Sequence, residues 1–307
     1  MMTKPLIFLL AVLLISIPNL SGQRYAEDYV KTGIMAAKLG DYNKAGEYFD
    51  KAIVLDPKLP EGYYNRGLLF LQLKEYNKAL ADFISTLRYR PSRAEVHYQI
   101  GITHYHLNQP DEAIRYLRQA LERDSTFVEA CFDLGLIYAE NDDLTEALKQ
   151  FDHLLNKKPE HARGLYQRGF VLSRLNRPAE ALRDLNAALL LKPNDPEILM
   201  TRGTVKAMMR LFRSAREDFA AIVATDPTNA DAWMNQGLAS FNLLEFNRAI
   251  DDYQAAIRIN PRNAEALLGL ALSEVNTGMM EEACINLRKA HELGHPLAAG
   301  YRKELCP

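Results

Sequence analysis

The chain has 307 residues, of which 48% are apolar and 25% are charged, and its 37 basic and 39 acidic residues leave a net charge of −2. These proportions exclude a mainly disordered chain, which would combine few apolar residues with a high net charge. The near-neutral balance argues against nucleic acid as the main ligand, because a phosphate-binding face shows as an excess of Lys and Arg.

The N-terminal segment has the layout of a secretory signal peptide. A Lys precedes an apolar run at residues 6–17, and a Pro and then the small residues Ser21 and Gly22 follow. We therefore predict a signal peptide at residues 1–22. The apolar run is shorter than the roughly 20 residues that span a bilayer, so an uncleaved anchor is the weaker alternative and no stable span is expected after cleavage.

A signal peptide implies export rather than a cytoplasmic location. The only Asn-x-Ser/Thr sequon begins at Asn19 and lies inside the signal, whereas a secreted eukaryotic protein of this size often carries one in its mature part. We expect a bacterial periplasm or the extracellular space, with membrane tethering only if the signal is retained.

Beyond the signal, four residue types recur with a period of 34, which is typical of repeat architectures. Gly stands at positions 33, 67, 101, 135, 169, 203 and 237. Ala stands twelve residues after each of these and again at 283, and a ring or Leu follows four residues later. Pro stands at 57, 91, 159, 193, 227 and 261.

These residue types predict two helices per period. Small residues let two helices approach closely, the large side chain fills the space between them, and Pro ends the second helix. Apolar residues fall at helical spacing on both segments, and turn signals such as Gly40-Asp41 separate them. The unit is a helix, a turn, a second helix and a Pro-bearing turn.

This pattern resembles the tetratricopeptide repeat (TPR) family, as in Tyr64-Asn65-Arg66-Gly67 and the stretch from Tyr76 to Phe83. The resemblance implies an all-α fold, a right-handed superhelical solenoid of antiparallel helix hairpins. Eight units, which we call repeats one to eight, are expected at 26–59, 60–93, 94–127, 128–161, 162–195, 196–229, 230–263 and 264–297. A C-terminal capping segment is expected at 298–307, because terminal repeats have one uncovered face.

The eight repeats can be compared with one another, and this comparison predicts ion pairs. Wherever Arg precedes the signature Gly, an Asp stands sixteen residues later. We interpret these as structural pairs between the two helices of one repeat. The pairs are Arg66 with Asp82, Arg168 with Asp184, and Arg202 with Asp218.

Two cysteines can also be placed. Cys284 is on the second helix of repeat eight and Cys306 ends the capping segment, at similar distances from a turn near Gly294. Antiparallel helices would bring them together, and export permits oxidation. The alternatives are a disulfide and two free thiols. Cys131 is expected to be a small core residue.

No sequence motif for catalysis, cofactors or metals occurs. The sequence has no Gly-rich phosphate loop, CxxC, HExxH or GxSxG, and the repeats fill the chain after the signal. His97 and His104 share a helix face without a third ligand, so surface or half-buried histidines are expected. We predict a protein that is not an enzyme and that has no cofactor or metal.

In TPR proteins the first helix of each repeat lines the inner, concave face, and the resemblance implies a binding groove there. The expected groove residues are Tyr64, Tyr98, Tyr105, Phe132, Tyr166, Phe170, Met200, Met234 and Phe241. Rings and Met are common interface anchors, although the same side chains could instead pack against the neighbouring hairpin. The second position of seven repeats is acidic, which suits the helix dipole without any partner.

We therefore expect a non-enzymatic, exported scaffold that binds an unidentified protein or peptide in an aromatic groove. The Lys and Asn clamp of TPR cochaperones is absent, since the fifth and ninth positions carry rings and aliphatics such as Tyr64 and Leu68. A cell-envelope factor that contacts peptidoglycan or glycan through Tyr64, Tyr98 and Tyr166 is the first alternative. A regulatory subunit of a separate enzyme is the second.

Overall fold

The computed structural model describes residues 20–306, and within that range the chain consists of α-helices without strands. The all-α expectation is confirmed. The predicted signal peptide at 1–22 lies outside the described residues except for its last three, where α1 begins. The helices are α1 Leu20–Lys38, α2 Tyr42–Leu55, α3 Pro60–Gln72, α4 Tyr76–Tyr89, α5 Ala94–His106, α6 Pro110–Arg123, α7 Val128–Glu140, α8 Leu144–Lys157, α9 Ala162–Arg174, α10 Pro178–Leu191, α11 Pro196–Met208, α12 Phe212–Thr225, α13 Ala230–Asn242, α14 Phe246–Ile259, α15 Ala264–Asn276, α16 Met280–Glu292 and α17 Ala298–Leu305.

The chain forms two compact units, whose boundary falls between Ile137 and Tyr138 inside α7. In the first unit, α1 to α6 form three hairpins. The hairpins stack in order, because α2 contacts α3 and α4 contacts α5. In the second unit, α9 to α16 form four further hairpins in the same manner, and α17 packs against α16. Each unit is thus a stack of antiparallel helix pairs.

Each hairpin turn places one residue in the left-handed region of backbone conformation. That residue is the fifteenth of its repeat, and its φ lies between +57° and +83° in all eight turns. Two of the eight are glycines, Gly40 and Gly278, the residue type that adopts this conformation without strain. The second helices end before the recurring prolines; for example, α2 ends at Leu55 and Pro57 follows.

The recurring small and large residues form the centre of each hairpin. The Ala of every repeat is fully buried, and so is the large side chain that follows it. A Cβ added at Gly67 would lie 2.7 Å from the Phe83 ring, and one at Gly203 would lie 2.6 Å from the Phe219 ring. At these two positions the large side chain of the second helix therefore occupies the space that a Cβ would need, whereas repeat eight has Ala271 at the corresponding place.

The last helix covers the end of repeat eight. Ala298 is buried in a cluster with Leu287 and Ala290, and Tyr301 and Leu305 pack against it. The capping segment expected at 298–307 accordingly contains the eight-residue helix α17, which ends at Leu305.

Candidate functional site

Successive first helices lie side by side within each unit. In the first unit α1 contacts α3, and in the second unit α9 contacts α11, α11 contacts α13 and α13 contacts α15. We call the exposed surface of these first helices the inner face of the unit. The expected groove residues belong to this face, and the structure shows how much of each one is available.

In the first unit, Tyr64 and Tyr98 are half-buried and pack against neighbouring helices. The Tyr64 ring lies 5.9 Å from the Phe83 ring, with the guanidinium of Arg93 5.7 Å from its centre. The Tyr98 hydroxyl donates a hydrogen bond of 2.7 Å to the Asp133 carboxylate and so joins α5 to α7. Burial raises the pKa of both phenols, and the charge of Asp133 raises that of Tyr98 further. Both rings are therefore part of the packing between helices.

The other expected groove residues differ in accessibility. Phe132 is only 8% exposed, so its ring belongs to the core and offers almost no surface to a ligand. Tyr105 and Phe170 are exposed. The half-buried members are Tyr166, Met200, Met234 and Phe241. The sulfur atoms of Met200 and Met234 accept long hydrogen bonds of 3.6 Å from the amides of Asn235 and Asn263.

A cavity of about 280 Å³ opens on the inner face of the second unit, between α11 and α13. Its apolar wall includes Met208 and Leu238, which are 52% and 44% exposed. Its polar wall includes Thr204, Asn235 and Asn242. The sequence analysis did not single out these residues. Leu238, at the ninth position of repeat seven, could have been found by the same positional reasoning as Phe170.

The structure forms the three ion pairs that the repeat comparison predicted. Each Arg binds its Asp through two hydrogen bonds, and those between Arg168 and Asp184 measure 2.6 and 2.8 Å. The three carboxylates are buried. Two-point pairing of a guanidinium with a carboxylate is a strong, directional arrangement, and it joins the two helices of one hairpin.

Each of these Arg residues also reaches the preceding hairpin, which the sequence analysis missed. Arg66 binds Asp50 at 2.6 Å, and Arg168 binds Asp152 at 2.9 Å. Arg202 binds the side-chain oxygen of Asn186 at 2.8 Å. The second partner stands sixteen residues before the Arg, just as the first stands sixteen after it. One side chain therefore connects two successive hairpins.

Repeats seven and eight use neutral partners at the corresponding place. Asp252 accepts hydrogen bonds from Gln236 and Ser240, and burial raises its pKa. In repeat eight the carboxylate is supplied by Glu274, which accepts from the Asn286 amide at 2.9 and 3.0 Å. Burial raises the pKa of Glu274 as well. These buried carboxylates bind side chains of their own hairpins and do not line the cavity, so their role is structural.

Family models described as the tetratricopeptide repeat match well over half of the chain. They match residues 35–74, 64–126, 104–169, 162–195, 200–245 and 230–263. The chain belongs to the tetratricopeptide repeat family. The TPR expectation from the sequence is thereby confirmed, and solved TPR structures share its fold.

The C-terminal part of a TPR repeat-containing protein from Cytophaga hutchinsonii is 17% identical with a TM-score of 0.65, over 80% of this chain and 98% of that one. The APC/C hetero-tetramer Cut9–Hcn1 is 18% identical with a TM-score of 0.57, over 87% of this chain and 53% of that one. YrrB, described as a TPR protein with an unusual peptide-binding site, is 27% identical with a TM-score of 0.49, over 56% and 88%. A search of curated protein sequences finds no match.

The end of the TPR stack is held by a disulfide. Cys284 of α16 and Cys306 after α17 are bonded, with their Cα atoms 5.7 Å apart. The bond ties the capping helix to repeat eight. Cys131 is buried, in agreement with a core role.

The described part of this TPR chain contains no cluster of three or more His, Cys, Asp or Glu side chains arranged to hold a metal ion.

The expectation of surface or half-buried histidines is wrong for His97, which is buried. Its Nδ1 lies 3.0 Å from the carbonyl oxygen of Arg93, and burial lowers its pKa. Among residues 20–306, no helix has the length and apolar character needed to cross a membrane.

Proposed function

We propose that this protein is a non-enzymatic scaffold that binds a protein or peptide segment on the inner face of its TPR units. The observation that carries the proposal is the cavity between α11 and α13, where exposed apolar side chains stand beside side-chain amides. Concave, mostly apolar sites with a few placed polar groups are the usual form of ligand sites.

The amides in this cavity suit a peptide backbone. The Asn235 amide donates to the Asp231 carbonyl at 2.9 Å, and the Asn242 amide donates to the Leu238 carbonyl at 2.8 Å. One N–H of each amide is engaged in this way, and the side-chain oxygens of Asn235 and Asn242 can accept from a ligand N–H. Met208 and Leu238 supply the apolar contact, and Met adapts its shape to different ligand side chains.

The ring series that the sequence suggested supports this function less well. Tyr64 packs against Phe83, and the Tyr98 ring lies 4.9 Å from Phe127 while its hydroxyl is bound to Asp133. A sugar that stacked on these rings would have to displace those contacts. A protein or peptide ligand is therefore favoured over a glycan, with Phe170 and Tyr105 as the accessible rings.

Export remains part of the proposal. The signal-like layout of residues 1–22 supports it. So does the Cys284–Cys306 bond, since disulfides persist mainly in oxidising compartments.

The test is a crosslinking pull-down from a cell-envelope fraction with residues 23–307 as bait. The groove variant carries Met208→Gln and Leu238→Gln. The matched control carries Leu190→Gln and Leu191→Gln, which remove two exposed apolar side chains from the end of α10, a second helix. Circular dichroism checks that both variants remain folded.

The expected result is a protein that the wild type and the control enrich and that the groove variant loses. Equal enrichment by all three baits would place binding elsewhere on the molecule and contradict the groove. If purified cell wall retains the wild type after protease treatment of the fraction, the glycan alternative replaces this proposal.

A further inference from the structure

The hairpin turns of repeats six to eight differ from the turns before them at two positions of the repeat, the fifteenth and the sixteenth. The fifteenth and sixteenth positions are Gly or polar in the first five repeats, at residues 40–41, 74–75, 108–109, 142–143 and 176–177. In the last three repeats one of the two positions is apolar, as Leu211, Leu244 and Met279. Five turns of the same chain fold without an apolar side chain there, so the fold does not require one.

All three side chains are exposed to solvent, Leu244 most of all. Leu211 is 45% exposed, Leu244 73% and Met279 38%. Leu244 moreover has a φ of +63°, in the left-handed region, which disfavours residues other than Gly and Asn. The left-handed φ is common to all eight hairpin turns, so it belongs to the turn itself. What distinguishes Leu244 is an exposed apolar side chain at a position where the first five turns have none.

The three turns belong to successive hairpins of the second unit, whose first helices α11, α13 and α15 contact one another in order. The Arg216 guanidinium of repeat six binds the Glu245 carboxylate in the turn of repeat seven at 2.5 Å, so these two turns are neighbours. Since packed helices are about 8–10 Å apart, three successive turns span roughly 20 Å. We call the surface formed by Leu211, Leu244 and Met279 the turn edge.

Charges flank the turn edge with opposite signs at its two ends. Beside Leu211, Arg210 and Arg213 are exposed, and neither has an ion-pair partner among the described residues. Beside Met279, the exposed Glu281 and Glu282 begin α16. Glu245, in the middle, is already neutralised by two arginines.

We propose that the turn edge docks an amphipathic helix of a partner protein. Its apolar side chains would cover Leu211, Leu244 and Met279, its acidic end would lie over Arg210 and Arg213, and its basic end over Glu281 and Glu282. A helix rises 1.5 Å per residue, so about 14 residues cover the three turns. The turn edge shares no residue with the inner-face cavity, although Met208 and Phe212 of that cavity flank Leu211 in the chain, and the proposal does not depend on that cavity binding anything.

A protein partner fits these charges better than a lipid bilayer does. Exposed apolar side chains at turns beside arginines could also enter an anionic membrane, but Glu281 and Glu282 would then face its negative surface. A helix with opposite charges at its ends satisfies both ends of the turn edge.

The test uses a display library of 14-residue helical peptides, selected on the full chain. The edge variant carries Leu211→Gln, Leu244→Asn and Met279→Gln. Repeat three has Asn108 and Gln109 at the corresponding two positions, so the hairpins of the variant are expected to form. A second variant, with Arg210→Glu and Arg213→Glu, reverses the charge. Thermal unfolding establishes that both variants are folded.

We expect enriched peptides with apolar residues at i, i+3, i+4 and i+7 and acids at one end. For such a peptide the edge variant raises Kd at least about tenfold, which is about 1.4 kcal/mol. The charge-reversed variant weakens binding of acidic-ended peptides and prefers basic-ended ones. Peptides that bind the wild type and the edge variant equally overturn the proposal, as does a selection without any enriched helix.

A second experiment, with lipid vesicles, tests whether the turn edge binds a membrane surface instead of a protein. Vesicles of phosphatidylethanolamine and phosphatidylglycerol are sedimented with the wild type and with the edge variant. No sedimentation of either protein supports the protein partner. Sedimentation of the wild type alone overturns the proposal in favour of a membrane surface.

Discussion

The guanidinium of Arg66 binds the carboxylate of Asp82 through two parallel hydrogen bonds, from Nε to Oδ2 and from Nη2 to Oδ1, each 2.8 Å long. Its third nitrogen binds Asp50 of the preceding hairpin. Asp82 is buried, so its charge depends on this one partner. Because a buried charge without a partner is strongly destabilising, the two residues should act as a unit.

We therefore expect Arg66→Ala to lower the free energy of unfolding by about 3 kcal/mol. The double variant Arg66→Ile with Asp82→Tyr copies the residues of repeat three, where Ile100 belongs to a buried cluster and Tyr116 packs against that cluster. This double variant should recover most of the free energy of unfolding that Arg66→Ala loses, since it removes both charges together. Urea unfolding followed by circular dichroism measures both. A double variant no more stable than Arg66→Ala would show that the pair is not a unit.

The backbone of Leu244 provides a second prediction. Its φ of +63° disfavours a side chain with a Cβ, so Leu244→Gly should raise the free energy of unfolding by about 1 kcal/mol. The reverse change, Gly40→Leu, should lower it similarly, since φ there is +82° and a Cβ would meet no atom within 4 Å. Thermal unfolding of both variants tests this. Equal and unchanged melting temperatures would mean that the turn backbone relaxes without cost.

The buried Glu274 predicts a pH dependence of stability. Because burial raises its folded pKa above the unfolded value, the folded state holds its proton more tightly. Its contribution is fully present below the unfolded pKa of about 4.3 and is lost as pH rises through the folded pKa. Glu274→Gln should therefore be more stable than the wild type at pH 7, and the difference should shrink towards pH 4.

Thermal unfolding of the wild type and Glu274→Gln between pH 4 and pH 7 measures this difference. The control is Glu217→Gln, an exposed carboxylate in the middle of α12 and away from the ends of its helix, whose difference from the wild type should stay near zero throughout. A gap between Glu274→Gln and the wild type that does not change with pH would contradict the prediction.

The disulfide predicts a local rather than a global effect. Cys306→Ser removes the bond that ties α17 to α16, and α17 is short, with Ala298 as its one fully buried residue. Amide exchange in α17 should speed up, while exchange in α9 and α10 stays as in the wild type. Mass spectrometry of exchanged peptides measures both. Unchanged exchange in α17 would show that its apolar contacts alone hold it.

Several features follow from the chain's own periodicity. The 34-residue period predicts the hairpins, because each period contains two helical segments with small residues at their crossing, and identical units stack in the same way. It also predicts Arg66 with Asp82, since eight copies show which positions change together. That Cys284 and Cys306 lie close together can be predicted from the antiparallel arrangement of two consecutive helices. These are local relations, and each is repeated or adjacent in the sequence.

The groove was predicted less completely, because a position on the first helix does not say how much of a side chain its neighbours cover. Tyr98 is hydrogen-bonded to Asp133, whereas Phe132 is buried, although both stand at the fifth position of their repeats. Phe170, at the ninth position, is exposed. Met208 and Leu238 become a cavity only when α11 and α13 stand side by side.

The sequence by itself therefore determined the family, the hairpins and the contacts within one repeat, because these depend on spacing along the chain. Only the tertiary structure decided which inner side chains are accessible and that Arg66 also binds Asp50. It likewise decided how exposed the turns of repeats six to eight are. These properties depend on the distance between side chains of different hairpins, which spacing within one repeat does not specify.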